Sequence, residues 1–96
     1  MSAYVIVMRE GPVRDQSALD TYSKMNREGP RDPNLKPLAL YGALEALEGD
    51  APEGVVVLEF PTVAAAKAWY DSPAYQAALA YRLQGAEWRA FIVEGL

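Results

Sequence analysis

The sequence predicts an α+β domain whose strands and helices follow one another in the order βαββαβ. Three runs rich in β-branched and aromatic residues, at 3–9, 55–60 and 88–94, have the composition of strands. The segments between them carry apolar residues at helical spacing and are bounded by proline and glycine. A chain of 96 residues has room for one hydrophobic core, so residues 1–96 are predicted to form a single domain.

The first strand and the first helix are predicted from the N-terminal third of the chain. Ala3 to Arg9 is dominated by β-branched and aromatic residues and is followed by Gly11-Pro12, which is typical of a strand buried on both faces. A helix capped by Asp15 or Ser17 comes next and ends at Gly29-Pro30. Its apolar face is formed by residues at helical spacing, namely Ala18, Leu19, Tyr22 and Met25.

Local signals conflict between Leu38 and Asp50. Alanine, leucine and glutamate favour a helix, and three of the leucines would share one helical face. Apolar residues at alternate positions favour a strand instead, and Gly42 would weaken a helix interior. We predict a strand that bends near Gly42, because the strand at Val55 to Phe60 needs a neighbour. The preceding segment, Arg31 to Pro37, holds two prolines and is predicted to be a loop.

The clearest strand is Val55 to Phe60, which follows a hairpin connection rich in turn residues. Successive side chains of a strand point to opposite faces of the sheet. One face therefore carries Val56, Leu58 and Phe60, which we expect to lie under the helices. The other carries Val55, Val57 and Glu59.

The second helical region is predicted to be split in two. Thr62 caps the first segment, and Ser72 caps the second with Pro73 at its first helical position. The inward face of the second segment is formed by Tyr75, Leu79 and Arg82, at positions i, i+4 and i+7. Trp88 to Glu94 is predicted to be the last strand.

This order of elements is that of the ferredoxin-like fold, an antiparallel sheet of four strands with helices on one face. The first and third strands are apolar on both faces, whereas the helices can cover only one of them. A large apolar face left in water usually marks an interface. We therefore expect two copies of the chain to pack sheet against sheet as a dimeric α+β barrel, with an apolar cavity for a small organic ligand between the sheets.

Composition and charge restrict the partners. The net charge is −4 and the nine basic residues are scattered, so no patch suits nucleic acid or an anionic membrane. No apolar run approaches the roughly 20 residues of a membrane span, and the N-terminus lacks the features of a signal peptide. With no cysteine, these features favour a cytoplasmic protein. The chain also lacks histidine, metal-ligand spacing and a phosphate-binding glycine loop, so no metal or cofactor is expected.

A specific resemblance is carried by Glu59 to Arg82, EFPTVAAAKAWYDSPAYQAALAYR. Preceded by LEGD and followed by a strand ending in VEG, this run resembles the domain-of-unknown-function 1330 family (DUF1330), whose members are dimeric α+β barrel proteins. The likeness extends from AYVIV at Ala3 to Gly95. It implies the ferredoxin-like fold, a homodimer and a strand at LEALEGD, residues 44–50. It implies no activity, since the family has no established general function.

Two charged residues in apolar surroundings are the candidate catalytic groups. Glu59 shares a strand face with two valines, so in an apolar cavity its carboxylate would serve as a general acid or base. The alternative is that it reaches solvent or pairs with an arginine. Arg82 would bind a substrate carboxylate or stabilise an anion. The alternative, which we favour, ties it to Glu59 or to backbone carbonyls, because buried arginines are usually paired.

Aromatic residues supply the candidate ligand contacts, which are Tyr4, Tyr41, Trp69 and Tyr75. The first two would offer hydroxyls to a phenol or a carbonyl. The last two lie beside the proline joint, where aromatic side chains more often belong to the core. Arg9 and Arg89 are predicted to be charges at strand edges. Ser72 is interpreted as a cap, because no histidine is present to activate it as a nucleophile.

Three functional hypotheses are compatible with these residues. The first is a cofactor-free enzyme in which Glu59 moves a proton while Arg82 or Tyr41 stabilises developing negative charge. The second is a binding protein with the same cavity and no chemistry, which the absence of histidine and cysteine favours slightly. The third is a structural or stress-associated dimer whose inter-sheet space is filled by side chains.

Overall fold

The computed structural model describes residues 1–96 and confirms a ferredoxin-like α+β fold. The elements are β1 (Ala3–Arg9), α1 (Gln16–Glu28), β2 (Lys36–Leu40), β3 (Gly54–Phe60), α2 (Val63–Asp71), α3 (Pro73–Gly85) and β4 (Trp88–Glu94). The strands form one antiparallel sheet in the order β2-β3-β1-β4. None of the three helices combines the length and apolar character needed to cross a membrane.

Side-chain caps fix where the helices begin. Asp15, Thr62 and Ser72 are the N-caps of α1, α2 and α3, and each accepts a hydrogen bond from a backbone N–H three residues further on. Ser72 also lies at the end of α2, where its hydroxyl donates to the carbonyl oxygen of Trp69 at 2.7 Å. The Ser72 hydroxyl oxygen in turn accepts from the N–H of Tyr75 at 3.3 Å. One serine therefore satisfies backbone groups of two consecutive helices, as expected of a cap.

The core lies between the sheet and the helices. Burial alternates along β3, with Val56, Leu58 and Phe60 buried and the residues between them half-buried. The buried valines of β1, Val5 and Val7, pack in the same cluster, together with Ala66 of α2. The prediction that this face of β3 lies under the helices is confirmed. The opposite face of the sheet, which we call the open face, is not covered by any element of the protomer.

The second strand lies earlier than predicted. β2 covers Lys36–Leu40, so the strand predicted over Leu38 to Asp50 is confirmed only at Leu38–Leu40 and is wrong beyond it, and residues 44–50 form no strand. The ladder ends because β3 begins at Gly54 and because Tyr41 turns the chain through a positive φ of 56°. The N–H of Tyr41 makes the last bond, to the carbonyl oxygen of Val55 at 2.9 Å.

Part of the segment predicted to be a loop, 31–37, belongs to this strand. Pro37 lies within β2, and the register shifts between Pro37 and Ala39. β2 is an edge strand, and an edge position or a bulge is where a sheet tolerates a residue without an N–H. The irregularity of the strand is therefore at Pro37 and Tyr41, and not at Gly42.

Candidate functional site

A cavity with a largely apolar wall lies between the sheet, α1 and the loop that joins α1 to β2. It has a volume of about 470 Å³, and we call it the helix-side cavity. This volume falls within the roughly 300–1,000 Å³ of small-molecule sites. Much of its wall is apolar or aromatic, formed in part by Tyr22, Leu35, Tyr41, Leu58, Trp69 and Tyr75. Exposed residues at the end of α1 and in the following loop, among them Arg27 and Arg31, also border it.

Two tyrosine hydroxyls meet in the wall of the cavity. The hydroxyl oxygens of Tyr22 on α1 and Tyr75 on α3 are 2.9 Å apart, and the rings meet edge to face. Burial raises the pKa of Tyr75 well above its usual value, and the hydrogen-bonded Tyr22 adds to the effect. Trp69 of α2 lies against the other side of Tyr75, with ring centroids 4.1 Å apart. The pair is a well-packed hydrogen-bonding group.

Arg82 is buried beneath α3 without an anionic partner. The residue is 3 % exposed, and its Nε and Nη1 atoms have no hydrogen-bond acceptor. Its Cζ lies 5.3 Å from the ring centroid of Trp88, whose Nε1–H donates to the Arg82 carbonyl oxygen at 2.9 Å. The expected inward face of α3 is confirmed, since Tyr75 and Leu79 are buried as well. A buried cation without a counter-charge is energetically costly.

A second arginine with an unpaired N–H group, Arg9, lies opposite Trp88. Arg9 lies at the end of β1 on the same face as Val5 and Val7, and its Nε atom is buried with no hydrogen-bond acceptor. Its cross-strand partner on β4 is Trp88, the residue whose ring Arg82 approaches. The prediction that Arg9 is a strand-edge charge is therefore wrong. Arg89 does lie exposed at the strand edge, in a salt bridge with Glu10.

Tyr41 lies between the cavity and the arginines. Its ring packs over Gly54, where a Cβ atom would lie only 2.9 Å from a ring carbon, and it meets the ring of Trp88 edge to face. Although the residue is 54 % exposed, burial at its hydroxyl raises the pKa, as does Tyr22. The charges of Arg82 and Arg9 act in the opposite direction. The Tyr41 hydroxyl therefore lies within the electrostatic reach of both guanidinium groups.

Glu59 and Tyr4 lie elsewhere, side by side on the open face. They are cross-strand partners of β3 and β1, and the other neighbour of Glu59 in the sheet is Lys36 of β2. Five positions along β1 separate Tyr4 from Arg9, which corresponds to about 17 Å and to opposite faces of the sheet. Glu59 thus does not meet Arg82, and the alternative in which these two residues pair is wrong.

The predicted site residues thus fall into two groups. Tyr41, Trp69 and Tyr75 line the helix-side cavity, whereas Tyr4 and Glu59 do not contribute to it. Arg82 lies against Trp88, whose ring meets Tyr41. The sequence reasoning missed Tyr22, which lines the cavity, and Arg9, which lies opposite Trp88. The signal for Arg9 was its odd-numbered position in β1, which puts it on the face of Val5 and Val7. The structure contains no cluster of acidic side chains able to hold a metal ion.

Comparison with protein families identifies the chain. The sequence model of the domain of unknown function DUF1330 matches residues 2–96. The chain belongs to the DUF1330 family. The resemblance seen in Glu59 to Arg82 is thereby confirmed. Among curated proteins, no sequence matches this DUF1330 chain.

Solved structures with the same fold include two described as dimeric ferredoxin-like proteins of unknown function. The protein from Jannaschia sp. CCS1 is 15% identical, with a TM-score of 0.70 over 99% of the DUF1330 chain and 100% of its own. The protein from Thermobifida fusca YX is 20% identical, with a TM-score of 0.64 over 97% and 90% of the two chains. A more distant structure, from Chloroflexus aurantiacus J-10-fl, is named as a candidate antibiotic biosynthesis monooxygenase. It is 16% identical, with a TM-score of 0.52 over 100% and 96%. At these identities the likeness shows the fold alone.

Proposed function

We propose that this DUF1330 protein is a homodimer that binds a small, mostly apolar organic molecule in the helix-side cavity of each protomer. The observation that carries the proposal is a cavity of about 470 Å³ with a largely apolar wall and a few hydroxyls. Small-molecule sites typically combine such a wall with a small number of polar groups that fix the orientation of the ligand. An aromatic or other flat apolar ligand would pack against Trp69 and Leu58.

The wall of the cavity suits binding better than proton transfer. Tyr75 stays protonated near neutral pH, because burial raises its pKa further above that range. Asp32, an acidic residue of the wall, accepts the backbone N–H of Asn34 at 2.8 Å. These groups hold a ligand by hydrogen bonds and offer it little acid–base chemistry.

The homodimer is proposed to form through the open face of the sheet. That face carries half-buried apolar residues of β1 and β3, among them Ile6 and Val57, and two residues of β4, Phe91 and Val93, that are 45% exposed. An apolar patch of this kind usually marks an interface. The related structures from Jannaschia and Thermobifida are described as dimeric, which supports the same assembly here.

A cofactor-free enzyme with Glu59 as its acid or base is the second candidate. Glu59 is half-buried beside Tyr4 on the open face, and in the dimer it would lie between the two sheets. In this scheme Arg82 or Tyr41 was expected to stabilise negative charge on the same substrate. Both lie on the other side of the sheet, so Tyr4 is the one predicted site residue that lies beside Glu59. Binding in the helix-side cavity is therefore the better-supported function. The cytoplasmic location expected from the sequence stays a prediction.

A thermal-shift screen tests the proposed function. Small aromatic and alicyclic compounds are added to the wild-type protein and to two variants of α1, Ser23→Trp and Lys24→Trp. Ser23 is exposed and borders the cavity, whereas its neighbour Lys24 is exposed and does not. We expect stabilising compounds to lose their effect in Ser23→Trp and to keep it in Lys24→Trp, the matched control.

Two results would contradict the proposal. One is a screen in which no compound stabilises the wild-type protein, which would favour a purely structural dimer. The other is a stabilising compound that acts equally on Ser23→Trp, since that compound would bind elsewhere. Mass spectrometry of the recovered compound separates the two candidate functions: an unchanged compound supports binding, and a product supports an enzyme.

A further inference from the structure

We infer that the ligand of the helix-side cavity carries a carboxylate, and that Arg82 and Arg9 bind it. The inference rests on the proposed function, because it names the chemical class of ligand for that same cavity. It is carried by the pair of guanidinium groups around Trp88, which have buried N–H groups without acceptors.

Arg82 has buried hydrogen-bond donors that lack acceptors. A guanidinium group stays protonated in proteins and has five N–H donors and no acceptor. At 3 % exposure, Arg82 has little access to bulk solvent, and its Nε and Nη1 atoms find no oxygen of the protein. Its contact with Trp88 occupies the face of the guanidinium plane and leaves the N–H groups of Nε and Nη1 unpaired. The acceptor that these groups require is missing from the chain.

No acidic side chain of the protomer supplies that acceptor. The salt bridges of the structure join Lys67 to Asp71 and Arg89 to Glu10, and neither involves Arg82 or Arg9. Glu59 lies on the other face of the sheet. A partner protomer seated on the open face would be separated from Arg82 by the sheet itself. The anion must therefore enter from the side of the helices.

The helix-side cavity gives an anion that route. Tyr41 lines the cavity and packs over Gly54, the cross-strand partner of Arg9. The Tyr41 ring also meets the ring of Trp88, against which the Arg82 guanidinium lies. The two positive charges therefore lie behind the end of the cavity that Tyr41 forms.

The composition of the site favours an organic carboxylate over a phosphate. Planar guanidinium groups match the two oxygens of a carboxylate, and such charge-assisted bonds are about twice as strong as neutral ones. In the pair of Tyr22 and Tyr75, one hydroxyl donates to the other, so the accepting hydroxyl keeps its own proton for a ligand. The apolar wall beside these donors suits the hydrocarbon part of an aromatic or alicyclic acid. Guanidinium groups match a phosphate as well, so it is the apolar wall that favours an organic acid over inorganic phosphate.

Two aromatic acids and their neutral amides test the inference. Benzoate and phenylacetate are titrated into the protein by calorimetry, at constant ionic strength, against their neutral counterparts benzamide and phenylacetamide. We expect each acid to bind at least about tenfold more tightly than its amide, as charge-assisted hydrogen bonds imply. In Arg82→Met this ratio is expected to fall to near one while the amides still bind. In Lys24→Met, which removes the same charge from the exposed surface of α1, the ratio is expected to stay unchanged.

The possible failures are distinguishable. If amides bind as tightly as acids to the wild-type protein, the carboxylate inference is overturned and the proposed function stands. If neither class binds and the broader screen also finds nothing, both fail. If chloride or inorganic phosphate binds as tightly as benzoate and competes with it, the site holds an inorganic anion and the inference is overturned. Should Arg82→Met not fold, Arg9→Met and Arg82→Lys carry the same test, and an unchanged acid-to-amide ratio in both would overturn the inference.

Discussion

Replacing Arg82 by methionine should make the ligand-free protein more stable. Replacing buried ion pairs by apolar residues is neutral or stabilising by about 1–4 kcal/mol, and Arg82 lacks even the anion of such a pair. Loss of the contact with Trp88, at 5.3 Å, opposes this gain by about 0.5–2 kcal/mol. We therefore expect a net gain of about 1 kcal/mol in the free energy of unfolding. In a domain of this size that gain corresponds to a rise of roughly 4–8 °C in Tm.

Urea unfolding followed by circular dichroism measures this change. The protein is first refolded from urea to remove any bound ligand, and its concentration is held fixed because the stability of a dimer depends on it. Lys24→Met is the control and is expected to stay within about 0.5 kcal/mol of the wild type. A loss of about 3–5 kcal/mol in Arg82→Met would refute the reasoning, since that is the cost of breaking a compensated buried charge. Arg82 would then have an acceptor within the folded protein.

Three further predictions concern the caps, the interface and the tyrosine pair. Ser72→Ala removes the hydroxyl shared by α2 and α3 and should lower the free energy of unfolding by about 1 kcal/mol in urea; no measurable loss would contradict its role as a cap. Phe91→Glu puts a charge on the open face and should halve the mass found by light scattering, whereas an unchanged mass would exclude this interface. Because the folded pKa of Tyr75 is raised above its ordinary value of 10.0, the folded state holds its proton longer than the unfolded chain. Stability should therefore be fully present below about pH 10 and fall above it, and Tyr75→Phe should make that fall shallower in urea titrations against pH; an identical fall in the variant would contradict the assignment.

Much of the fold could be predicted because its signals are local. The alternation of Val56, Leu58 and Phe60 gives the buried face of β3 directly, since a strand has a side-chain period of two. Capping side chains likewise act on backbone groups three residues away, so Ser72 and Thr62 could be recognised without knowing what packs nearby. β2 was placed wrongly because an edge strand is defined by its partner. Its limits depend on where β3 begins and on the turn at Tyr41, and its composition carries no sign of either.

The site was harder to predict because it depends on which helices and loops cover each face of the sheet. Period-two patterning separated Glu59 from the buried residues of β3, but it gives no information about where a cavity remains. That cavity exists because the loop between α1 and β2 stands over the sheet beside Tyr22 and Tyr41. Loop conformation is set by long-range contacts, which sequence periodicity does not report. The inward direction of Arg82 followed from helical spacing, whereas its lack of a partner became visible only with every neighbour in place.

The division of β1 into two rows links the proposed assembly to the proposed binding site. Val7 and Arg9 belong to the row beneath the helices, and Ile6 and Met8 belong to the row on the open face. In the proposed assembly, the sheet gives its open face to the partner protomer and takes its ligand on the other face, within the protomer. Changes in the loop between α1 and β2 can then alter the shape of the cavity while the apolar row that would hold the dimer together stays the same. Arg9 and Arg82 are fixed to β1 and α3 and not to that loop, so the charge preference of the site would persist while its shape varies.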